Sequence, residues 1–141
     1  AFRIPQATLT TVTDIYVEAA QACAVDFNIP NVSQDHRAVM DDPNIDAVVI
    51  CSSTNTHAQM IEEAAAAGKH IFCEKPIDLD PTRIRRTLEV VDRAGVKLQI
   101  GVNRRFDPSF GALKAAIDAG EIGKPELLSI TSFDPAPPRN N

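Results

Sequence analysis

The spacing of apolar and polar positions changes several times along the chain, and each change marks an element. Residues 7–13, Ala-Thr-Leu-Thr-Thr-Val-Thr, are β-branched and alternate in character, which predicts a strand that stops at Asp14. From Tyr16 to Phe27 the positions Val17, Ala20, Cys23, Ala24 and Phe27 recur at helical spacing, and Asn28-Ile29-Pro30 ends the helix. A second helix is expected from Gln34 to Met40, with Ser33 as its N-cap and Asp42-Pro43 as its stop. Ile45 to Cys51 is apolar on both faces from Ala47 onward, the pattern of a central parallel strand covered by helices on each side. It runs into the polar loop Ser52-Ser53-Thr54-Asn55. Thr56 to Ala67 then reads as a helix packing through Met60, Ile61 and its alanines, with Gly68 at the C′ position.

The next stretch, Lys69-His70-Ile71-Phe72-Cys73-Glu74-Lys75-Pro76, is a short apolar run that ends abruptly in a carboxylate, an amine and a proline. It predicts a buried strand that delivers chemistry at its C-terminal end, where open α/β sheets place their ligands. The Lys75-Pro76 bond is of the one kind that can be cis at little cost. Asp80-Pro81 supplies an N-cap followed by proline, and the helix runs to Ala94 with Gly95 behind it. A strand follows over Lys97 to Val102. Asp107-Pro108 repeats the cap-and-proline device, and that helix runs to Ala119 and closes on Gly120. Glu126 to Phe133 reads as a last strand, stopped by Asp134-Pro135-Ala136-Pro137-Pro138.

Strand and helix in alternation argue a doubly wound α/β fold with a parallel sheet. A dinucleotide-binding sheet of this kind opens on a strand, a Gly-x-Gly-x-x-Gly turn and a helix whose N-terminus holds a pyrophosphate, and no such glycine run occurs here. If residues 7–13 are the second strand of that fold, Asp14 stands where an acid grips the adenosine ribose hydroxyls. Its plainer role is to cap the following helix, and the two are compatible. A carboxylate there repels a 2′-phosphate, and no arginine follows in Ile15-Tyr16-Val17, so NAD is expected over NADP. In the strand order 3-2-1-4-5-6 the first strand lies between the second and fourth, so its absence leaves a hole in the sheet. Residues 1–141 alone are therefore expected to be marginally stable or to pair the second and fourth strands directly.

Composition narrows the partners. The 141 residues are 44% hydrophobic and 23% charged, ordinary for one globular domain with a sizeable core. A net charge of −5, with no long basic stripe, argues against nucleic acid, and no apolar run is long enough to span a bilayer. A small-molecule ligand fits better. Ala1-Phe2-Arg3-Ile4-Pro5 has no apolar signal segment, and the absence of an initial Met suggests a start further upstream. Cys23, Cys51 and Cys73 are odd in number, well separated and set in apolar segments, so buried thiols in a reducing, cytoplasmic compartment are expected.

Four motifs carry a resemblance: residues 46–57 (Asp-Ala-Val-Val-Ile-Cys-Ser-Ser-Thr-Asn-Thr-His), 68–76 (Gly-Lys-His-Ile-Phe-Cys-Glu-Lys-Pro), 101–108 (Gly-Val-Asn-Arg-Arg-Phe-Asp-Pro) and 122–125 (Ile-Gly-Lys-Pro). In order and spacing the chain resembles the glucose-fructose oxidoreductase, inositol dehydrogenase and rhizopine catabolism family, most closely its inositol 2-dehydrogenase branch. The resemblance implies a Rossmann-like NAD-binding domain over residues 1–124 that lacks its first strand and Gly-rich loop, and the first strand of a second α/β domain over 125–141. It also implies oxidation of a secondary alcohol of a cyclitol or sugar, best myo-inositol to its 2-keto product, by a homo-oligomeric parent protein, a tetramer or dimer, with no metal.

Carried onto this chain, the resemblance makes Lys75 the catalytic lysine that reaches the substrate hydroxyl and the nicotinamide ribose. Glu74 would line the nicotinamide side. Asp14 and Ile15 would meet the adenosine ribose, and Ser52, Ser53, Asn55 and His57 the pyrophosphate and nicotinamide ribose. The usual Thr-Pro-Asn is Ser53-Thr54-Asn55 here, which puts those particular contacts in question. His57 taken alone reads as a helix-surface residue. Asn103 would border the cofactor, and Arg104 and Arg105 the substrate, with one of the two arginines structural. The family's proton-transferring Asp and His belong to its second domain and match nothing after Phe133, so residues 1–141 alone are expected to be inactive. Two other readings stay open: a catalytically inactive nucleotide-binding or regulatory module, and a structural or interaction fragment.

Overall fold

The computed structural model describes residues 4–133. The Pro-rich stretch 134–138 lies outside the described residues. Five short parallel strands alternate with helices. They are β1 (Thr11–Thr13), α1 (Val17–Phe27), β2 (Asn31–Ser33), α2 (Arg37–Asp41), β3 (Ala47–Ile50), α3 (Thr54–Ala66), β4 (His70–Cys73), α4 (Pro81–Ala94), β5 (Leu98–Ile100) and α5 (Pro108–Asp118), with a 3-10 turn at Asn103–Phe106. The strands form two sheets, β1-β2 and β3-β4-β5, and β1 does not pair with β3. The gap expected between the second and fourth strands of a dinucleotide fold is therefore present as a gap; direct pairing across it, the alternative expectation, does not occur.

Local signals set most of the helices. Asp80 accepts from the Thr82 N–H at 2.8 Å, and Gly95 closes α4 in the left-handed region at φ 68°. Asp107 accepts from the N–H groups of Ser109 and Phe110 at the start of α5. Asn28, in the left-handed region at φ 51°, ends α1 after Phe27, where the Asn28-Ile29-Pro30 stop was expected. α3 begins at Thr54, two residues earlier than expected, which makes half of the polar loop the first helical turn.

Three expectations need correction. Ser33 does not cap a helix: it ends β2, and its hydroxyl accepts from the Asp35 N–H at 3.0 Å, while α2 begins at Arg37. β2 itself, three residues with no readable alternation, is held to β1 in register Val12↔Val32, and the Asn31 amide donates to the Thr10 carbonyl at 2.8 Å. Residues 126–133 form no strand, because no described residue offers them a partner ladder. Finally, β3 is buried on one face alone: Val48 and Ile50 face the core, while Val49 is 65% exposed. Ala47, on the same second face, is exposed as well.

The core gathers Met40, Ile45, Val48, Ile50, Ile61, Ile71, Cys73, Ile77 and Val91 with the small residues Ala58, Ala64 and Ala65. The alanines recur at helical spacing on α3, where small side chains let the helix lie close to β3, β4 and α4. α3 and α4 are also joined by polar atoms: the Glu62 carboxylate accepts from Arg83 Nη2 and from the fully buried Thr87 hydroxyl, both at 2.9 Å. Lys69, expected to open a strand, is instead a buried cation whose Nζ donates to the Asp42 carbonyl at the C-terminus of α2. The described chain divides into a unit ending at Gly101 and a second unit beginning at Val102.

Candidate functional site

Parallel pairing aligns Ile50 with Cys73 and Cys73 with Ile100. The residues that follow, Cys51-Ser52, Glu74-Lys75 and Gly101, therefore leave the sheet at one C-terminal edge, the edge at which α/β sheets bind ligands. The last ladder bonds there are the Glu74 N–H to the Ile50 carbonyl at 2.9 Å and the Gly101 N–H to the Cys73 carbonyl at 2.8 Å. Beyond them Lys75 is exposed, and its ammonium has no partner among the described residues. The Lys75-Pro76 peptide is cis. Glu74 is half-buried, and one carboxylate oxygen accepts from the Lys75 N–H at 3.2 Å.

The negative charge of Glu74 reaches the strand ends. Burial first, and Glu74 second, push the Cys51 thiol up from its ordinary value. Burial, then Cys51, then Glu74 push the Cys73 thiol up to about 11. Both therefore stay protonated near neutral pH, and all three cysteines are free thiols. Uniform burial was the expectation, yet only Cys73 is buried; Cys51 lies on the exposed edge and Cys23 is half-buried on α1.

At the β3 exit the Ser52 hydroxyl pairs with the Thr56 hydroxyl at 2.6 Å, and Thr56 Oγ1 donates to the Ser53 carbonyl at 2.7 Å. Ser53 occupies the N-cap position of α3 without a side-chain cap bond, so its exposed hydroxyl is unengaged, as is the exposed Asn55 side chain among the described residues. His57 departs from the expected helix-surface placement. It is 1% exposed, with Nδ1 2.8 Å from the Pro76 carbonyl oxygen and Nε2 2.9 Å from that of Ser52. The contacts that bury it lie 19 and 5 residues away, beyond the reach of helical periodicity.

Asp14 lies just past β1, its N–H bonded to the Ser33 carbonyl at 3.4 Å. One carboxylate oxygen accepts from the Tyr16 N–H at 2.8 Å; the N-cap of α1 is Tyr16 itself, so Asp14 forms a turn into the helix rather than its cap. The second oxygen has no partner among the described residues, and the neighbouring Ile15 is 76% exposed. In the second unit the 3-10 turn carries Asn103, Arg104 and Arg105, all exposed. The Arg104 guanidinium lies 5.4 Å from the Phe110 ring centroid, whereas Arg105 has no side-chain partner among the described residues. Among the described residues no cluster of side chains suits a metal ion.

Residues 2–102 match the oxidoreductase family with an NAD-binding Rossmann fold. The chain belongs to this family. A member from Rhizobium meliloti, named inositol 2-dehydrogenase, is 50% identical over 132 residues, which are 94% of this chain and 39% of that protein. The myo-inositol 2-dehydrogenase of Thermotoga maritima is 42% identical over 96% of this chain and 40% of its own length. The structure of scyllo-inositol dehydrogenase from Lactobacillus casei with bound NAD(H) and scyllo-inositol superposes with a TM-score of 0.81 at 36% identity, covering 86% of this chain and 36% of that one. The chain thus spans about two fifths of the length of these relatives. Among the described residues no helix of this family member is long and apolar enough to cross a membrane.

Proposed function

We propose that this chain is the cofactor-side part of an NAD-dependent dehydrogenase that oxidises a secondary alcohol of a cyclitol, with myo-inositol as the favoured substrate. The observation that carries the reading is Lys75, an unpaired ammonium at the C-terminal edge of a parallel sheet, in a family that binds NAD. The residues present suit that cofactor: an open strand edge, the unengaged Ser53 hydroxyl at the start of α3, and an Asp14 oxygen left over from its turn. Bound NAD would accept the hydride at its nicotinamide ring.

The chain's own part is electrostatic and positional. As the hydroxyl proton is drawn off, negative charge grows on the substrate oxygen, the Lys75 ammonium stabilises it, and the C–H electron pair leaves carbon as hydride. The hydroxyl proton leaves to a base, so that alcohol and NAD become ketone, NADH and a proton. His57 is a poor candidate for that base, because its ring is 1% exposed and both of its nitrogens face backbone carbonyls. Asp14 would take the adenosine ribose hydroxyls and disfavour a 2′-phosphate. Between the two arginines, Arg105 is the substrate-facing candidate, since Arg104 is stacked on Phe110.

The test is NADH formation from NAD and myo-inositol by the complete polypeptide that contains these residues, with residues 1–141 alone as the expected inactive control. NADH formation by the complete polypeptide with no cyclitol among several tried, but with another sugar, would retain the reaction and change the substrate. No reduction of NAD with any polyol would remove the reading.

A further inference from the structure

We infer that His57 is a positioning residue for hydride transfer, acting only through the backbone at Ser52 and Pro76; the inference rests on the reaction proposed above. β3 and β4 are zipped as far as the Glu74 N–H to Ile50 carbonyl bond, and past it no backbone hydrogen bond joins the two exit segments among the described residues. His57 spans that opening. Nε2 meets the carbonyl of Ser52, the second residue after β3, and Nδ1 meets the carbonyl of Pro76, the residue after Lys75. The imidazole also comes from a rigid element, the first turns of α3, whose neighbouring Ala58 and Ile61 are locked in the core.

Burial makes the arrangement specific. The imidazole N–H donates to one of the two carbonyls, the tautomer choosing which, and the ring packs against the other; at 1% exposure neither contact can be replaced by solvent. The ring therefore sets the separation between the loop that carries Ser52 and Ser53 and the turn that carries Lys75. Ile77, 8% exposed, anchors the far side of the same turn, so the Lys75 backbone is held between a ladder bond, the His57 contact and a buried side chain. A misplacement of about 1 Å at a reacting group costs on the order of a hundredfold in rate. A side chain that holds these two segments in register thus bears on the reaction without touching cofactor or substrate.

The experiment compares His57→Ala and His57→Gln with the parent in the complete polypeptide, counting folded sites by NADH titration. His57→Ala is expected to lower kcat per folded site about tenfold or more. His57→Gln, which keeps an amide N–H within reach of one carbonyl, should recover part of that loss. Amide exchange read by mass spectrometry should quicken together at residues 51–53 and 75–78 in His57→Ala and stay unchanged in α4. A kcat per site within about twofold of the parent for His57→Ala, with only a lower melting temperature, would overturn the inference. If His57→Ala does not accumulate as folded protein, His57→Gln decides by the same two readouts. If the parent protein itself reduces no NAD, the proposed function fails. The exchange comparison then still decides whether His57 ties the two segments.

Discussion

A β-carbon placed on Gly101 would stand 3.0 Å from Oε1 of Glu74 and 3.1 Å from Cζ of Phe72. The glycine at the end of β5 is therefore the floor on which the Glu74 carboxylate rests, one strand away from the lysine that follows it. The close approach, not an unusual backbone angle, is what requires glycine here. Gly101→Ala should push the carboxylate aside by a few tenths of an ångström and cost about 1 kcal/mol of stability. Unchanged thermal stability and unchanged NADH affinity in that variant would show that Glu74 moves freely.

Lys75→Ala removes the charge that balances the developing alkoxide. In the complete polypeptide kcat should fall by roughly 10²–10⁴, while NADH binding, followed by its fluorescence, changes much less because Lys75 supports no core contact. A loss confined to the affinity for NAD would place Lys75 in cofactor binding alone.

Asp14→Ser tests cofactor choice. The substitution should weaken NAD binding and relatively favour NADP, since the repulsion toward a 2′-phosphate disappears. Equal losses for both cofactors would leave Asp14 with only its turn to Tyr16.

Thr87→Val probes the polar seam between α3 and α4. The buried hydroxyl that donates to Glu62 is lost at nearly constant volume, which leaves one carboxylate oxygen without its donor and should cost about 1–3 kcal/mol in urea denaturation. Thr87→Ser keeps the donor and should cost less. The opposite order would mean that methyl packing, rather than the hydrogen bond, matters at that site.

Alkaline titration should reveal Cys73. Its folded thiol is raised to about 11 from an ordinary value of 9.0, so the folded state holds the proton more tightly than the unfolded chain. The associated stability is complete below the ordinary value and is lost as pH rises through the folded one. Within that window stability should fall by about 1.4 kcal/mol per pH unit from this group. The Cys73→Ala variant should show a shallower decline over the same range, and identical slopes would contradict the assignment.

Much of the chain could be read before it folded, wherever the information lay within a few residues. α4 and α5 were legible because a capping aspartate, a proline at the next position and a closing glycine act over one helical turn. The strand that ends in Glu74-Lys75-Pro76 was legible because an apolar run broken by two charges and a proline has few other readings. Tertiary structure decided what depends on distant partners. Asn31–Ser33 is a strand because Thr11–Thr13 lies beside it, and residues 126–133 form none because no described residue does the same for them. His57 is buried because the carbonyls of Ser52 and Pro76 converge on it, and Gly101 leaves little room for a β-carbon because Glu74, 27 positions earlier in the chain, lies against it in space. Caps and periodicity are local interactions and survive in the bare sequence, whereas pairing and burial are set by which segments the fold brings together.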